Sequence, residues 1–380
     1  MKQVIDFVKK EAMLFVSLVA AIIALFITPP SMQLLSDIDW KTLATLFMML
    51  TVLEGFKSEN IFLPLIQLTR RMRTMVGLSL FLVFGVFFTS MFVTNDVSLI
   101  IFVPLTILLF RAGGKEHFIL PVISMENIAA IRGSMLMPFG SPQNLFLFSQ
   151  SGVSVGRFIL HMAPLSILSA ALLVGYVCLL YRKDIKQTIA IGDEAVGTPW
   201  KPERKKQRTM YIALFVMVLL TIVTRTTLWP AAALVVAVCV LILDPATLRR
   251  TDYVLLLTFF CFFVFSSSIA ANPTISAFLR TSVAGNEYWW SILLSQVISN
   301  VPASIVLYPF STNLSGLLYG LDSAGLCSLI GSLASVINYR IYVREYPGQG
   351  MKFIKVFTIV SLIFFAVVAL PGFWLSAWPF

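Results

Sequence analysis

Charge is scarce in this sequence. Asp, Glu, Lys and Arg make up 12% of its 380 residues, against roughly 25% in soluble globular chains, so a soluble fold is excluded. Histidine occurs only twice, too few for a His-built metal centre. The four cysteines (Cys178, Cys239, Cys261, Cys327) lie inside apolar stretches with no Cys-x-x-Cys spacing, and read as small core residues. No Gly-x-x-x-x-Gly-Lys-Ser/Thr run occurs, which excludes an ATP-driven pump within this chain. Alternating ~10-residue strands, the mark of a membrane β-barrel, are missing as well.

What the sequence does contain is apolar: 58% of it is hydrophobic. Residues 12–36, 74–95, 133–156, 158–181, 253–279, 288–321 and 356–380 each lack any Asp, Glu, Lys or Arg. About 20 apolar residues suffice to cross the hydrocarbon core as a helix. The expected fold class is therefore an all-α membrane protein that crosses the bilayer about nine times. Its formal charge of +10 points to basic loops on the cytoplasmic side rather than to nucleic acid. Lys2, Lys9 and Lys10 before an apolar run imitate a leader peptide, but the run meets Thr28-Pro29-Pro30 without a small-x-small site, and reads as an uncleaved first helix.

The positive-inside rule orients the rest. Helices at 11–28 and 41–57 are joined by a loop, 29–39, free of Lys and Arg. The stretch 75–110 lies between Arg73 and Arg111 and breaks at Thr94-Asn95-Asp96, so it is expected to enter and leave from the cytoplasmic side as a hairpin. Residues 118–149 cross with a break at 138–142, and 158–181 return. The polar stretch 182–208 is the expected cytoplasmic linker, followed by helices at 210–224, 227–243 and 253–271. No Lys or Arg occurs from Thr281 to Tyr339, so a second hairpin, 288–318, is expected to enter from outside. Residues 323–339 return, and 356–378 forms the last helix. This places the N-terminus inside and the C-terminus outside. Only Lys41, Arg157, Arg225 and Arg280 fall on the outer side, and Arg132 within the membrane.

Polar residues repeat in order along the two halves, 1–181 and 227–380, on either side of the connecting segment 182–226. Asp39-Trp40 recurs as Asp252-Tyr253. Ser90, Thr94, Asn95 and Pro104 recur at identical spacing as Ser295, Ser299, Asn300 and Pro309. Gly133-Ser134 is matched to Gly331-Ser332, and Arg157-Phe158-Ile159 to Lys352-Phe353-Ile354. The odd helix, 210–224, makes the two repeats opposite in orientation. An inverted repeat with discontinuous helices is the architecture of secondary transporters.

Non-helical backbone at membrane depth is tolerated only where it lines a cavity or is buried in protein. Thr94-Asn95-Asp96 and Ser299-Asn300-Val301-Pro302 are the expected breaks, with each Asn as the cap of a half-helix. Freed carbonyls, hydroxyls and amide oxygens there suit a Na⁺, and free N–H groups suit an anion. A second kind of break is expected at Gly133 to Asn144, where Pro138, Gly140, Ser141 and Pro142 interrupt the helix. Its counterpart runs from Gly331 through Ser332 and Ser335 to Asn338. Asp96 is a candidate for the coupling charge. Arg132 is a candidate partner for an anionic substrate, for Asp96 or for Glu126.

These motifs together resemble the ion transporter superfamily, which includes divalent-anion/sodium symporters, citrate transporters, arsenite efflux permeases and NhaD-type antiporters. The likeness covers nearly the whole chain and is nearest to small bacterial inner-membrane proteins labelled as anion permeases. It implies a scaffold, a mobile domain carrying both hairpins, an elevator-type movement and a homodimer in lipid. It also implies substrate and cation sites at Asn95, Asn300, 138–144 and 332–338. The second tip reads Ser-Asn-Val where dicarboxylate carriers have Ser-Asn-Thr. The expected function is secondary transport of a small anion coupled to Na⁺ or H⁺, without a further cofactor. A Na⁺/H⁺ antiporter and an arsenite-type efflux permease are the alternatives.

Overall fold

The computed structural model describes residues 12–28, 36, 38–183, 187–189 and 202–380. The basic N-terminal residues, most of the 29–39 loop and the middle of the 182–208 linker lie outside the described residues.

The described residues are helical, with no strand among them. The first half holds α1 (Ala12–Ile27), α2 (Trp40–Ser58), the short α3 (Leu63–Gln67), α4 (Met75–Val93), α5 (Asn95–Ala112), α6 (Ile119–Ser134), α7 (Pro142–Ser151) and α8 (Val155–Leu180). Next come α9 (Lys205–Thr224), α10 (Trp229–Leu243), the short α11 (Pro245–Arg250), α12 (Tyr253–Ala271) and α13 (Pro273–Val283). The chain closes with α14 (Glu287–Ile298), α15 (Asn300–Leu307), α16 (Leu314–Ala324), α17 (Leu333–Glu345) and α18 (Gly350–Ser376). Six of them (α4, α5, α8, α9, α12 and α18) are long and apolar enough to cross a membrane, and α10 and most of α1 form shorter apolar helices.

Local sequence sets several of these ends in matching ways. Asp39 caps α2 by accepting from the Thr42 N–H at 2.9 Å, and Asp252 caps α12 by accepting from the Leu255 N–H at 2.9 Å. The two aspartates also share their backbone conformation, with φ/ψ of −76°/79° and −78°/80°. A cap of this kind is worth about 0.5–2 kcal/mol.

The tertiary arrangement crosses the halves. Helix α1 packs on α12, while α2 packs on α9 and α10. Around a second centre, α6 packs against α4, α5, α8 and α18, and α16 against α14, α15 and α18. Residues such as Phe26, Leu160, Ile242 and Leu370 project outward, as lipid-facing side chains do. Trp289 lies near Phe373, centroids 5.5 Å apart, so Trp289 and Trp290 at the start of α14 share one end of the bundle with Trp374 and Trp378. Aromatic residues gather in this way at membrane–water interfaces.

Two boundaries depart from expectation. The second hairpin ends earlier than residue 318: α15 stops at Leu307, a 3₁₀ turn covers Tyr308–Phe310, and residues 314–318 already belong to α16. Pro309 removes an N–H that α15 would need to continue, whereas Pro104 is accommodated inside the longer α5. The first hairpin, by contrast, fills its stretch with two helices of 19 and 18 residues, each of membrane-crossing length. Re-entrance and a double crossing both return the chain to the side it left, so the sidedness of everything downstream is the same.

Candidate functional site

Both hairpins reverse at a single residue in a rare conformation. Thr94 has φ/ψ of 73°/153° and Ser299 of 69°/160°. Side chains larger than glycine avoid this region, and holding one there costs of order 1–3 kcal/mol. The expected half-helix starts are therefore present, but the asparagines are not the caps. Thr94 and Ser299 hold the cap positions, Asn95 and Asn300 are the first helical residues, and neither α5 nor α15 has a side-chain cap bond. A cap hydroxyl reaches the first-turn N–H groups from extended backbone of negative φ, which these two residues do not have. Asn95 Oδ1 instead accepts from the Asp96 N–H at 2.9 Å.

Each tip meets a broken helix in the same way. The Asn95 N–H donates to the Gly140 carbonyl at 3.2 Å, and the Asn300 N–H to the Gly331 carbonyl at 3.2 Å. A Cβ on Gly140 would lie 2.3 Å from the Ser134 carbonyl oxygen, and one on Gly331 2.3 Å from that of Ala324, so both approaches require glycine. Ser141 and Ser332 then occupy the N-cap positions of α7 and α17 in matching extended backbone, −149°/153° and −148°/139°. This corrects the register of the repeat: the partner of Gly331-Ser332 is Gly140-Ser141, not Gly133-Ser134. Gly133 and Ser134 lie in the last turn of α6, where the Ser134 hydroxyl donates back to the Ile131 carbonyl at 3.1 Å. In the corrected register Asn144 answers to Ser335.

Around the first tip, buried Asn144 and its neighbour Gln143 donate through their amide NH₂ groups to the two oxygens of Asp322, at 3.2 and 3.1 Å. Around the second, Asn127 donates to the Ser335 hydroxyl at 3.0 Å, and Asn338 to the Ile123 carbonyl at 2.7 Å. A common feature is left over at both. The oxygens Gln143 Oε1, Asn144 Oδ1, Asn127 Oδ1, Asn338 Oδ1, Ser141 Oγ and Asp96 Oδ1 are all buried without a hydrogen-bond partner. In each of the four amides the donor end is engaged and the acceptor end is bare. Bare oxygens of this kind are the ligands of hard cations.

Arg132 pairs with neither Asp96 nor Glu126. It is fully buried and makes no ion pair among the described residues. Its Nη2 donates to Ser323 Oγ at 3.4 Å, its Nη1 faces Met135 Sδ at 3.7 Å, and its Nε has no partner. Glu126 is held by the Thr106 hydroxyl instead. Sequence reasoning missed Asp322 and Asn127, and reached Gln143 only as part of the 138–144 stretch. Asp322 carried a legible signal, as the sole acid between Glu287 and Glu345; Asn127 carried none.

The match to known families decides the class. The citrate transporter family model covers residues 7–331. The chain belongs to that family. It is 30% identical over 333 residues to an uncharacterized transporter of Methanocaldococcus jannaschii, covering 87% of this chain and 88% of the relative. To the inner membrane protein YbiR of Escherichia coli it is 32% identical over 313 residues, 80% of each chain. With its apolar helices, this family member is a multi-pass membrane transporter.

Proposed function

We propose that the protein is a secondary active transporter that moves a small anion across the bacterial inner membrane, coupled to Na⁺. The observation that carries the coupling is the set of bare, buried amide oxygens at both breaks. Oxygen ligands at a broken helix suit Na⁺, while the helix starts of α5, α7, α15 and α17 converge with positive dipole ends that suit an anion. Asn95, Asp96, Thr94, Ser141 and Asn144 serve the first tip, and Ser299, Asn300, Ser332 and Ser335 the second. Proton coupling is the second reading, favoured by Asp96, whose Oδ1 is buried without a partner.

Helices α1, α2 and α9 to α12 form the scaffold on this reading, and the hairpins with α6 to α8 and α16 to α18 move against it in an elevator-type step, as a homodimer. The test is uptake into proteoliposomes of labelled small anions, citrate first, under an inward Na⁺ gradient with the ionophore-collapsed gradient as control. Uptake that ignores both Na⁺ and pH gradients overturns the coupled reading. The topology is tested separately. A phosphatase fused after Phe380 is expected to be active outside, and one fused at Lys205 inactive; the reverse pattern refutes the assigned orientation.

A further inference from the structure

Asp322 lies two residues before the end of α16 and is fully buried. A carboxylate offers only acceptors, so an amide that faces it must turn its NH₂ inward. Asp322 does this to two amides at once: Oδ1 accepts from Gln143 Nε2 at 3.1 Å and Oδ2 from Asn144 Nδ2 at 3.2 Å. Both donors belong to the first turn of α7, in the other half of the chain. Their carbonyl oxygens are thereby turned away from Asp322, and both are buried and bare. Ser141 Oγ, one turn away, is bare as well, and the adjacent Gly140 carbonyl receives the Asn95 N–H.

We propose that Asp322 is a positioning residue for cation recognition. It engages the amide NH₂ groups of Gln143 and Asn144 and so commits their oxygens to a hard alkali cation at the first tip. Without it the two amides are free to rotate, and a rotated amide presents N–H groups that repel a cation. Arg132 completes the arrangement. Its guanidinium reaches Ser323, the neighbour of Asp322, at 3.4 Å, yet stays outside ion-pair distance of the carboxylate. It balances the buried charge from a distance and leaves both carboxylate oxygens to the amides. At the second tip a neutral hydroxyl, Ser335, plays the accepting part for Asn127, so this control acts on one tip alone.

The inference rests on the Na⁺-coupled reading, and the test separates the two. Purified full-length protein is melted in detergent across a Na⁺ titration with choline as the replacement ion. Wild type is expected to gain thermal stability saturably with Na⁺. Asp322→Asn keeps the size but lets one end of the side chain donate, and its half-saturating Na⁺ is expected to rise about 10–100-fold, as when second-layer partners of a metal site are removed. The conservative variant Asp322→Glu keeps an acceptor-only carboxylate facing the two amides and is expected to hold half-saturation within a few-fold of wild type. It also serves where Asp322→Asn folds poorly. A merely structural aspartate predicts an equal drop in melting temperature with and without Na⁺ and an unchanged half-saturation, and that result overturns the proposal. An Asp322→Glu variant that folds and is as weak for Na⁺ as Asp322→Asn overturns it too. Wild type that does not respond to Na⁺ at all refutes the coupled reading and the positioning role with it.

Discussion

The two hairpin tips have nearly the same backbone and different chemistry. Thr94 and Ser299 differ by only a few degrees, and each is followed by an asparagine whose N–H meets a glycine carbonyl at 3.2 Å. Charge is distributed unequally. The first tip has Asp96 next to its asparagine and Asp322 behind its amides, where the second has Val301 and the neutral Ser335–Asn127 pair. Shared geometry with one-sided charge separates two parts of the proposed function: on that reading the backbone builds a pair of binding clefts, and the acids at one of them supply the asymmetry that a coupling ion requires.

The largest effect is expected where the tips agree. Asn95→Ala and Asn300→Ala should each abolish transport in proteoliposomes. Their cost to folding should be small, about 1 kcal/mol or less, since neither side chain caps its helix. Equal loss at both sites supports two equivalent clefts. If one variant transports normally, the symmetry of the backbone does not extend to function, and only the other tip holds ligand.

The next effect is expected where the tips differ. Asp96→Asn should reduce gradient-driven accumulation steeply while substrate exchange across an equilibrated membrane survives, because backbone N–H groups and hydroxyls remain to hold the anion. Val301→Asn, its counterpart at the uncharged tip, should leave the ratio of accumulation to exchange unchanged. Accumulation in Asp96→Asn that matches wild type would reduce Asp96 to an acid complementing the helix dipole, an effect of only about 0.3–1 kcal/mol.

Much of this comparison was legible in the sequence. Identical spacing of Ser90, Thr94, Asn95 and Pro104 with Ser295, Ser299, Asn300 and Pro309 located both tips, because a break in an apolar run has few causes. Asp39 and Asp252 marked their helix starts for the same reason. The register of the second break was misread because Gly-Ser occurs at both 133–134 and 140–141, and sequence spacing does not tell which glycine's carbonyl receives the hairpin asparagine N–H. Cross-half contacts were out of reach altogether. The Asp322 bonds to Gln143 and Asn144 span the end of the first repeat, all the connecting segment and more than half the second repeat, and nothing local to α16 announces them.

The smallest effect concerns the strain that the tips share. A residue held at φ near +70° with ψ near 155° costs of order 1–3 kcal/mol, and glycine escapes it. Against that gain, glycine loses more entropy on folding, roughly 0.5–1 kcal/mol. Thr94→Gly is therefore expected to raise stability by a net of about 1 kcal/mol in a detergent melt, and Ser299→Gly by less, because the β-branched threonine is the worse fit to positive φ. Thr94→Ala is the control: alanine keeps a Cβ and the strain, so it should gain nothing. Transport should move the other way. A tip relaxed by glycine samples other conformations, and the Asn95 N–H then meets the Gly140 carbonyl for less of the time. A slower Thr94→Gly protein that melts higher would mean that the turn stores strain to hold the cleft open to its ligand. A glycine variant that melts lower at either tip would mean that the hydroxyl side chain stabilises the turn by more than the strain costs it.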